Sequence, residues 1–354
     1  MYRDNSGSWV CLSVGPSALD EHIGQYYHEA CSSGILSRPH RSPQFSQLYE
    51  RLVFAFQRNQ LLPKDYAVLL FSSATECWQV IADTFIESPA VHVFNGSFGE
   101  KWWKQTQSIK PKLTRKFHFE VDEIPSPASV SCSAGLLCLT QTETSNGSAV
   151  PIEEIARWRN THPDVILAID ATSSMGGVQL PWSCADIWFA SVQKCFGLPP
   201  GLSVMLLSQR AVKAANNTTA NYRYNLINNA LKHYNNFQTT HTPNTANIYL
   251  LTRVLEERAS IQMIAERTRL RADDFFELLE THLALQPLVQ LNQARSQTII
   301  TIETKNPIQW INQLADSGIV VSSGYGLWRQ NTFRIANFPA IKTEWINDFI
   351  RQIN

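Results

Sequence analysis

An excess of charge of either sign is absent from this chain, whose 354 residues carry 30 Lys and Arg against 30 Asp and Glu. A zero balance gives no electrostatic footprint for nucleic acid or an anionic membrane, so small molecules are the expected partners. Disulfide and metal signatures are missing too. Seven cysteines (Cys11, Cys31, Cys77, Cys132, Cys138, Cys184 and Cys195) are scattered without a CxxC pair or metal-ligand spacing, and read as free buried thiols. The first twenty residues lack a basic flank followed by an apolar core, and no apolar run is long enough to span a bilayer. A cytoplasmic location is expected, and Asn95-Gly96-Ser97 and Asn146-Gly147-Ser148 then signify turn chemistry rather than glycosylation. Internal repeats and low-complexity tracts are also lacking.

What is present is an ordinary globular composition, 44% hydrophobic and 17% charged. The length predicts two domains, or one large domain with a smaller appendage. Apolar runs of strand length recur at 66–71, 91–95, 135–140, 165–169, 187–190 and 203–207. Amphipathic helix candidates lie between them, at 76–87 and at 152–160 behind Pro151. This alternation predicts an α/β fold with a mainly parallel sheet covered by helices. After Thr245 the pattern changes: a long helix over 247–283, a β-rich segment at 297–303, a helix at 307–316 and short strands near Ile319 and Phe333. The expected organisation is a large domain over 17–250 and a small α+β domain over 251–354, joined by the N-terminal segment 1–16.

Two residues concentrate chemistry in that frame. Asp170 ends the apolar run Ile166-Leu167-Ala168-Ile169, and Lys194 closes Ile187-Trp188-Phe189-Ala190-Ser191-Val192-Gln193. The layout suits pyridoxal phosphate: a lysine can hold the cofactor aldehyde as a Schiff base, and an aspartate can keep the pyridine nitrogen protonated. The plain alternatives are a helix-capping Asp and a solvated surface Lys. Phe71-Ser72-Ser73-Ala74-Thr75-Glu76 opens a helix after a strand, so its N–H groups can bind phosphate, or Ser73 can be an ordinary cap. Phe98, after the next strand, can stack on a flat ring or simply fill a core.

Their order along the chain is more informative than any one of them. With Gly15-Pro16, Pro39-His40-Arg41-Ser42, Ser72-Ser73-Ala74-Thr75-Glu76, Thr142-Glu143-Thr144-Ser145-Asn146-Gly147, Asp170-Ala171-Thr172-Ser173-Ser174, Ser191-Val192-Gln193-Lys194, His241-Thr242-Pro243-Asn244-Thr245 and Phe333-Arg334-Ile335-Ala336, the chain resembles the class V, fold type I aminotransferases, and within them the phosphoserine aminotransferases. The resemblance spans almost the whole sequence.

That likeness implies a role for each matching position. Lys194 would tether pyridoxal 5'-phosphate and move the proton between Cα and the cofactor; Asp170 would bond the pyridine nitrogen; Phe98 would stack on the ring. Ser73, Ala74, Thr75 and Gln193 would surround the cofactor phosphate, and Thr144 would lie near the ring hydroxyl. His241 and Thr242 would reach the phosphate of a neighbouring subunit, which implies a homodimer with shared sites. Arg334 would clamp the substrate α-carboxylate, unless it makes a structural ion pair. His40 and Arg41 would take the phosphate of O-phospho-L-serine, unless they form an exposed loop that meets only water. The implied reaction is a ping-pong exchange giving 3-phosphooxypyruvate and L-glutamate from phosphoserine and 2-oxoglutarate, in serine biosynthesis.

Two departures from the family pattern bear on the substrate. A second His-Arg pair of the small domain is replaced by Ser323-Gly324-Tyr325-Gly326-Leu327-Trp328-Arg329, where Arg329 is the candidate substitute, and His241 stands where an asparagine often precedes the threonine. Another class V aminotransferase, pairing alanine or serine with glyoxylate or pyruvate, would not need His40 with Arg41. A cysteine desulfurase needs a late nucleophilic cysteine, yet none follows Cys195 and Gln193 precedes the lysine. A protein that had kept the fold but lost the chemistry would have no reason to retain Lys194, Asp170 and Arg334 together.

Overall fold

The computed structural model describes residues 10–131, 135–220 and 223–353. Its largest sheet has seven strands in the spatial order Ala67–Phe71, Ser203–Leu207, Ile187–Ser191, Ile166–Asp170, Leu136–Thr140, Ala90–Phe94, Thr114–His118. Most of these strands are buried along their whole length, with apolar side chains on both faces, as a sheet sandwiched by helices requires. One apolar cluster lies on each face, one built around Phe45, Phe56, Trp158 and Trp188, the other around Trp78, Trp102, Phe189 and Met205.

Six strands run in one direction and Ser203–Leu207 runs against both of its neighbours. The sheet is therefore mixed at that strand. A parallel crossover takes about a dozen or more residues, usually including a helix. Residues 192–202 instead fold into turns, so the strand that follows must return antiparallel.

Thr114–His118, an edge strand that the apolar-run reading overlooks, is mostly exposed, with only Thr114 buried and Arg115 and Lys116 both in solvent. The single long helix expected over 247–283 is two helices, Thr245–Glu257 and Ile261–Thr281. The break follows from chemistry at the joint: Arg258 is extended and Ser260 caps the second helix by accepting from the Met263 N–H.

A second sheet, antiparallel, has the order Gln286–Pro287, Ile299–Glu303, Thr332–Ala336, Ser322–Ser323. The N-terminal strand Val10–Cys11 pairs in parallel with Ile319–Val320, and Leu12 and Val14 bury themselves with Phe275, Ile300, Phe333 and Phe349. Among the described residues no helix is long and apolar enough to cross a membrane.

The thiols are not uniformly buried. Cys77, Cys138 and Cys195 are buried, Cys11 and Cys184 are half-buried, and Cys31 is exposed on the outer face of the Ile23–Ser32 helix; Cys132 lies outside the described residues.

Candidate active site

Strand polarity collects the site at the carboxyl edge of the large sheet, the usual place for ligands in open α/β folds. Asp170 is the last residue of its strand, paired in register with Thr140 and Phe189. It is 5% exposed, so it is neither a surface cap nor free in solvent. One carboxylate oxygen accepts from the Thr172 N–H at 2.9 Å and the other from the Trp78 indole at 3.0 Å. Burial pushes its pKa up, with the Thr172 and Trp78 hydrogen bonds and Lys194 opposing. A desolvated carboxylate whose partners are neutral donors is a strong site for a cationic N–H.

Lys194 follows the neighbouring strand and is equally enclosed. Its Nζ donates to the Thr144 and Ser173 hydroxyls, each at 3.1 Å, and stands 5.6 Å from the centre of the Phe98 ring. Desolvation is the main reason its pKa falls to about 8, outweighing the attraction of Asp170. A surface lysine is thereby excluded. Gly15, ahead of Pro16, passes close by: a Cβ there would be 3.5 Å from the Lys194 Cε.

Phe98 is held by Glu143. This carboxylate is 2% exposed and accepts from the N–H groups of Phe98, Gly99 and Ser145 and from the Ser145 hydroxyl. It thus neutralises the positive end of the Ser97–Ile109 helix. Gly96 must be glycine, since a Cβ would collide with the Glu143 side chain.

The Ala74–Thr84 helix points its N-terminus at the same edge. Ser73 caps it by accepting from the Glu76 N–H at 3.1 Å, while the Ala74 N–H donates to Ser191 Oγ at 2.9 Å and Thr75 is exposed in the first turn. Both readings of this segment therefore coexist: Ser73 works as a cap, and the helix end still offers N–H groups beside the Ser191 hydroxyl. Nearby, Gln193 Oε1 is buried without a hydrogen-bond partner among the described residues. An orphaned polar atom beside a helix N-terminus, a buried lysine and a buried aspartate fit pyridoxal phosphate.

Arg334 enters from the second sheet. Its Nε donates to the Ser323 carbonyl at 3.0 Å, its Nη1 to the Thr144 carbonyl at 2.8 Å, and the guanidinium lies 5.3 Å over the Tyr325 ring. No carboxylate ion-pairs with it among the described residues. Burial lowers its pKa to about 10, which leaves it charged at neutral pH. A buried guanidinium bonded only to carbonyls is the arrangement that a carboxylate ligand completes.

His40, Arg41, His241 and Thr242 gather elsewhere. His40 Nδ1 lies 3.3 Å from Thr242 Oγ1, Arg41 Nη1 donates to Gln238 Oε1 at 3.1 Å and lies 3.4 Å from His233 Nδ1, and His241 Nδ1 meets Thr240 Oγ1 at 3.0 Å. Burial and the neighbouring Arg41, His241 and His233 lower the pKa of His40, whose Nε2 has no hydrogen-bond partner among the described residues. None of the four hydrogen-bonds to the Asp170 and Lys194 cluster. Arg329 is exposed at the end of the 324–329 loop, apart from the Arg334 network.

Trp78, Ser173, Ser191, Glu143 and Tyr325 complete the site without having been singled out by sequence. Ser173, Ser191 and Glu143 sit inside the quoted motifs, and Trp78 stands one helical turn after Ala74, so adjacency was their available signal. Tyr325 lies in the segment where the family pattern departs, four residues before Arg329, the candidate substitute there.

The sequence pattern of the family "Aminotransferase class-V" matches residues 104–328. The chain belongs to the class V aminotransferases. As in that family, it is a fold type I, pyridoxal phosphate-dependent transaminase. It is 27% identical over 355 residues to phosphoserine aminotransferase of Rhodococcus opacus (strain B4), covering 97% of this chain and 94% of that protein. The crystal structure of a phosphoserine aminotransferase from Cytophaga hutchinsonii ATCC 33406 superposes with a TM-score of 0.92 at 30% identity, over 97% of this chain and 98% of that one. An alanine–glyoxylate aminotransferase from Nostoc sp. shares the fold at a TM-score of 0.82 and 20% identity, covering 98% and 94%.

Proposed function

We propose that this class V aminotransferase exchanges the amino group between O-phospho-L-serine and 2-oxoglutarate, in serine biosynthesis. The observation that carries the reading is the His40, Arg41 and His233 cluster, whose His40 Nε2 has no partner among the described residues, a donor-rich patch suited to a phosphate dianion. The names of the relatives in Rhodococcus and Cytophaga support it.

When bound, pyridoxal phosphate supplies the electron-withdrawing ring that makes the substrate Cα–H acidic. This chain's residues do the rest. Asp170 would hold a positive pyridine N–H, and the Trp78 and Thr172 donors fix the carboxylate's orientation. The amine of Lys194, depressed to about 8, is partly neutral near physiological pH and can take the Cα proton. Thr144 and Ser173 aim that amine, Phe98 would stack on the ring, and Ala74, Thr75, Ser191 and Gln193 would hold the phosphate. Arg334 receives the substrate α-carboxylate.

His40 and Arg41 lie beside His241 and Thr242, on a patch separate from Lys194 of the same chain. We read the whole patch as facing the site of a second copy, with the working enzyme a homodimer. The segment 10–16 and the residues after 251 act as the unit that brings Arg334 to the substrate.

The test is a single-turnover absorbance measurement on cofactor-loaded protein mixed separately with phosphoserine, L-glutamate, L-serine and L-alanine. Half-saturation by phosphoserine at concentrations far below those for serine and alanine supports the reading; equal efficiency with alanine removes it. Arg41→Ala weakens phosphoserine by about 10- to 100-fold and leaves alanine unchanged.

A further inference from the structure

The loop that carries the family departure does not leave the site empty. Tyr325 inserts between Phe98 and Arg334: its ring stacks on Phe98 at 5.3 Å and 16°, and the Arg334 guanidinium covers its other neighbourhood at 5.3 Å. Two glycines permit this approach. A Cβ on Gly326, which is in the left-handed region at φ +58°, would overlap the Ser97 hydroxyl, and one on Gly324 would collide with the Trp328 and Thr332 segment. The loop is thus pressed on the first turn of the helix that bears Phe98.

One turn along that helix, Lys101 donates to the Tyr325 hydroxyl, with its ammonium 4.8 Å from the Tyr325 ring centre and 5.3 Å from that of Phe98. Nearby Lys104 is neutralised by Glu100 at 2.8 Å, whereas no carboxylate pairs with Lys101 among the described residues. An ammonium without a counter-ion at the mouth of a site is a place for an anion. Its contact with Tyr325 also sets the phenol's polarity: one lone pair is occupied by the ammonium, so the O–H is free to donate outward. Both groups then present only donors to a ligand.

We propose that Lys101 and Tyr325 form a same-chain subsite for the distal anionic group of the substrate, opposite the α-carboxylate at Arg334. The inference rests on the phosphoserine reading and deepens it. Arg41 contributes charge from the patch, and Lys101 with Tyr325 contributes donors from the chain that carries Arg334.

Calorimetric titration of cofactor-loaded protein with 3-phosphoglycerate, which has a hydroxyl in place of the reactive amine, and with glycerate, which lacks the phosphate, tests this directly. Lys101→Met and Tyr325→Phe each weaken 3-phosphoglycerate about 5- to 10-fold, with glycerate unchanged, as charge-assisted bonds at a partly exposed position should. Unchanged affinity for both ligands, or equal losses for both, overturns the subsite and leaves Lys101 as a strut between helix and loop. Arg41→Ala separates the two ideas: if it weakens 3-phosphoglycerate while Lys101→Met does not, the phosphoserine reading stands and the subsite falls. If wild-type protein binds glycerate as tightly as 3-phosphoglycerate, both fall. Unfolding temperature and the visible spectrum of the bound cofactor verify that each variant is folded and loaded.

Discussion

Lys194 destabilises the cofactor-free protein, and the amount can be measured. Burial lowers its pKa from 10.5 to about 8, a shift worth about 3 kcal/mol. Below pH 8 the lysine is protonated in both folded and unfolded chains, so the folded state bears the full cost of an enclosed ammonium. Between about pH 8 and 10.5 the folded chain has released its proton and the unfolded chain has not, so this contribution to stability rises with pH. Above 10.5 both are neutral and the penalty is gone. Lys194→Met keeps the volume and removes the charge. The Thr144 and Ser173 hydroxyls lie 2.5 Å apart and can bond each other, so their loss of a donor adds only a small, pH-independent term. Urea unfolding of both cofactor-free proteins at pH 7, 8, 9, 10 and 10.5 gives the difference free of other titrating groups such as Lys110, which cancel. The variant's advantage should shrink by about 3 kcal/mol from pH 7 to 10.5. A difference that stays constant over this range refutes the claim that Lys194 is an enclosed, depressed amine.

Other expectations address neighbouring groups. Glu143→Gln places an NH2 among the N–H groups of Phe98, Gly99 and Ser145, and should cost about 2 to 4 kcal/mol in chemical unfolding; a loss under 0.5 kcal/mol contradicts the carboxylate's role as a buried acceptor. Trp78→Phe deletes the indole donor to Asp170, and should lower the rate of the first half-reaction about 10-fold with little change in half-saturating substrate, read by stopped-flow absorbance. Sedimentation of the loaded protein should show a dimer, and a mixture of Lys194→Ala with Arg41→Ala subunits should regain part of the phosphoserine activity that each lacks alone, because one of the two shared sites then has both residues intact. Absence of any recovery argues against a site shared between chains.

Local pattern carried much of the fold. Apolar runs bounded by turn residues located six of the seven large-sheet strands to within a residue or so, because a strand buried on both faces has no other composition open to it. Thr114–His118 escaped since an edge strand may be polar, and the break at Arg258–Ser260 escaped since helical periodicity continues on both sides of it. Asp170 and Lys194 were legible because the ends of parallel strands are where chemistry collects, and the motifs around them agreed in order.

What sequence could not supply is which side chains meet. Asp170 and Trp78 lie far apart in the chain, as do Thr144 and Arg334, and each pair is joined only when helix and strand ends converge on one sheet edge. The sequence by itself determined the mainly parallel α/β frame and the cofactor class, and nominated Asp170 and Lys194 as candidates for its chemistry, since these depend on local pattern and residue type. Tertiary structure alone decided that Glu143 braces Phe98, that Tyr325 reaches the site with Lys101 behind it, and that His40 and Arg41 gather apart from Lys194. Such contacts depend on distance and desolvation, which exist only after the chain has closed on itself.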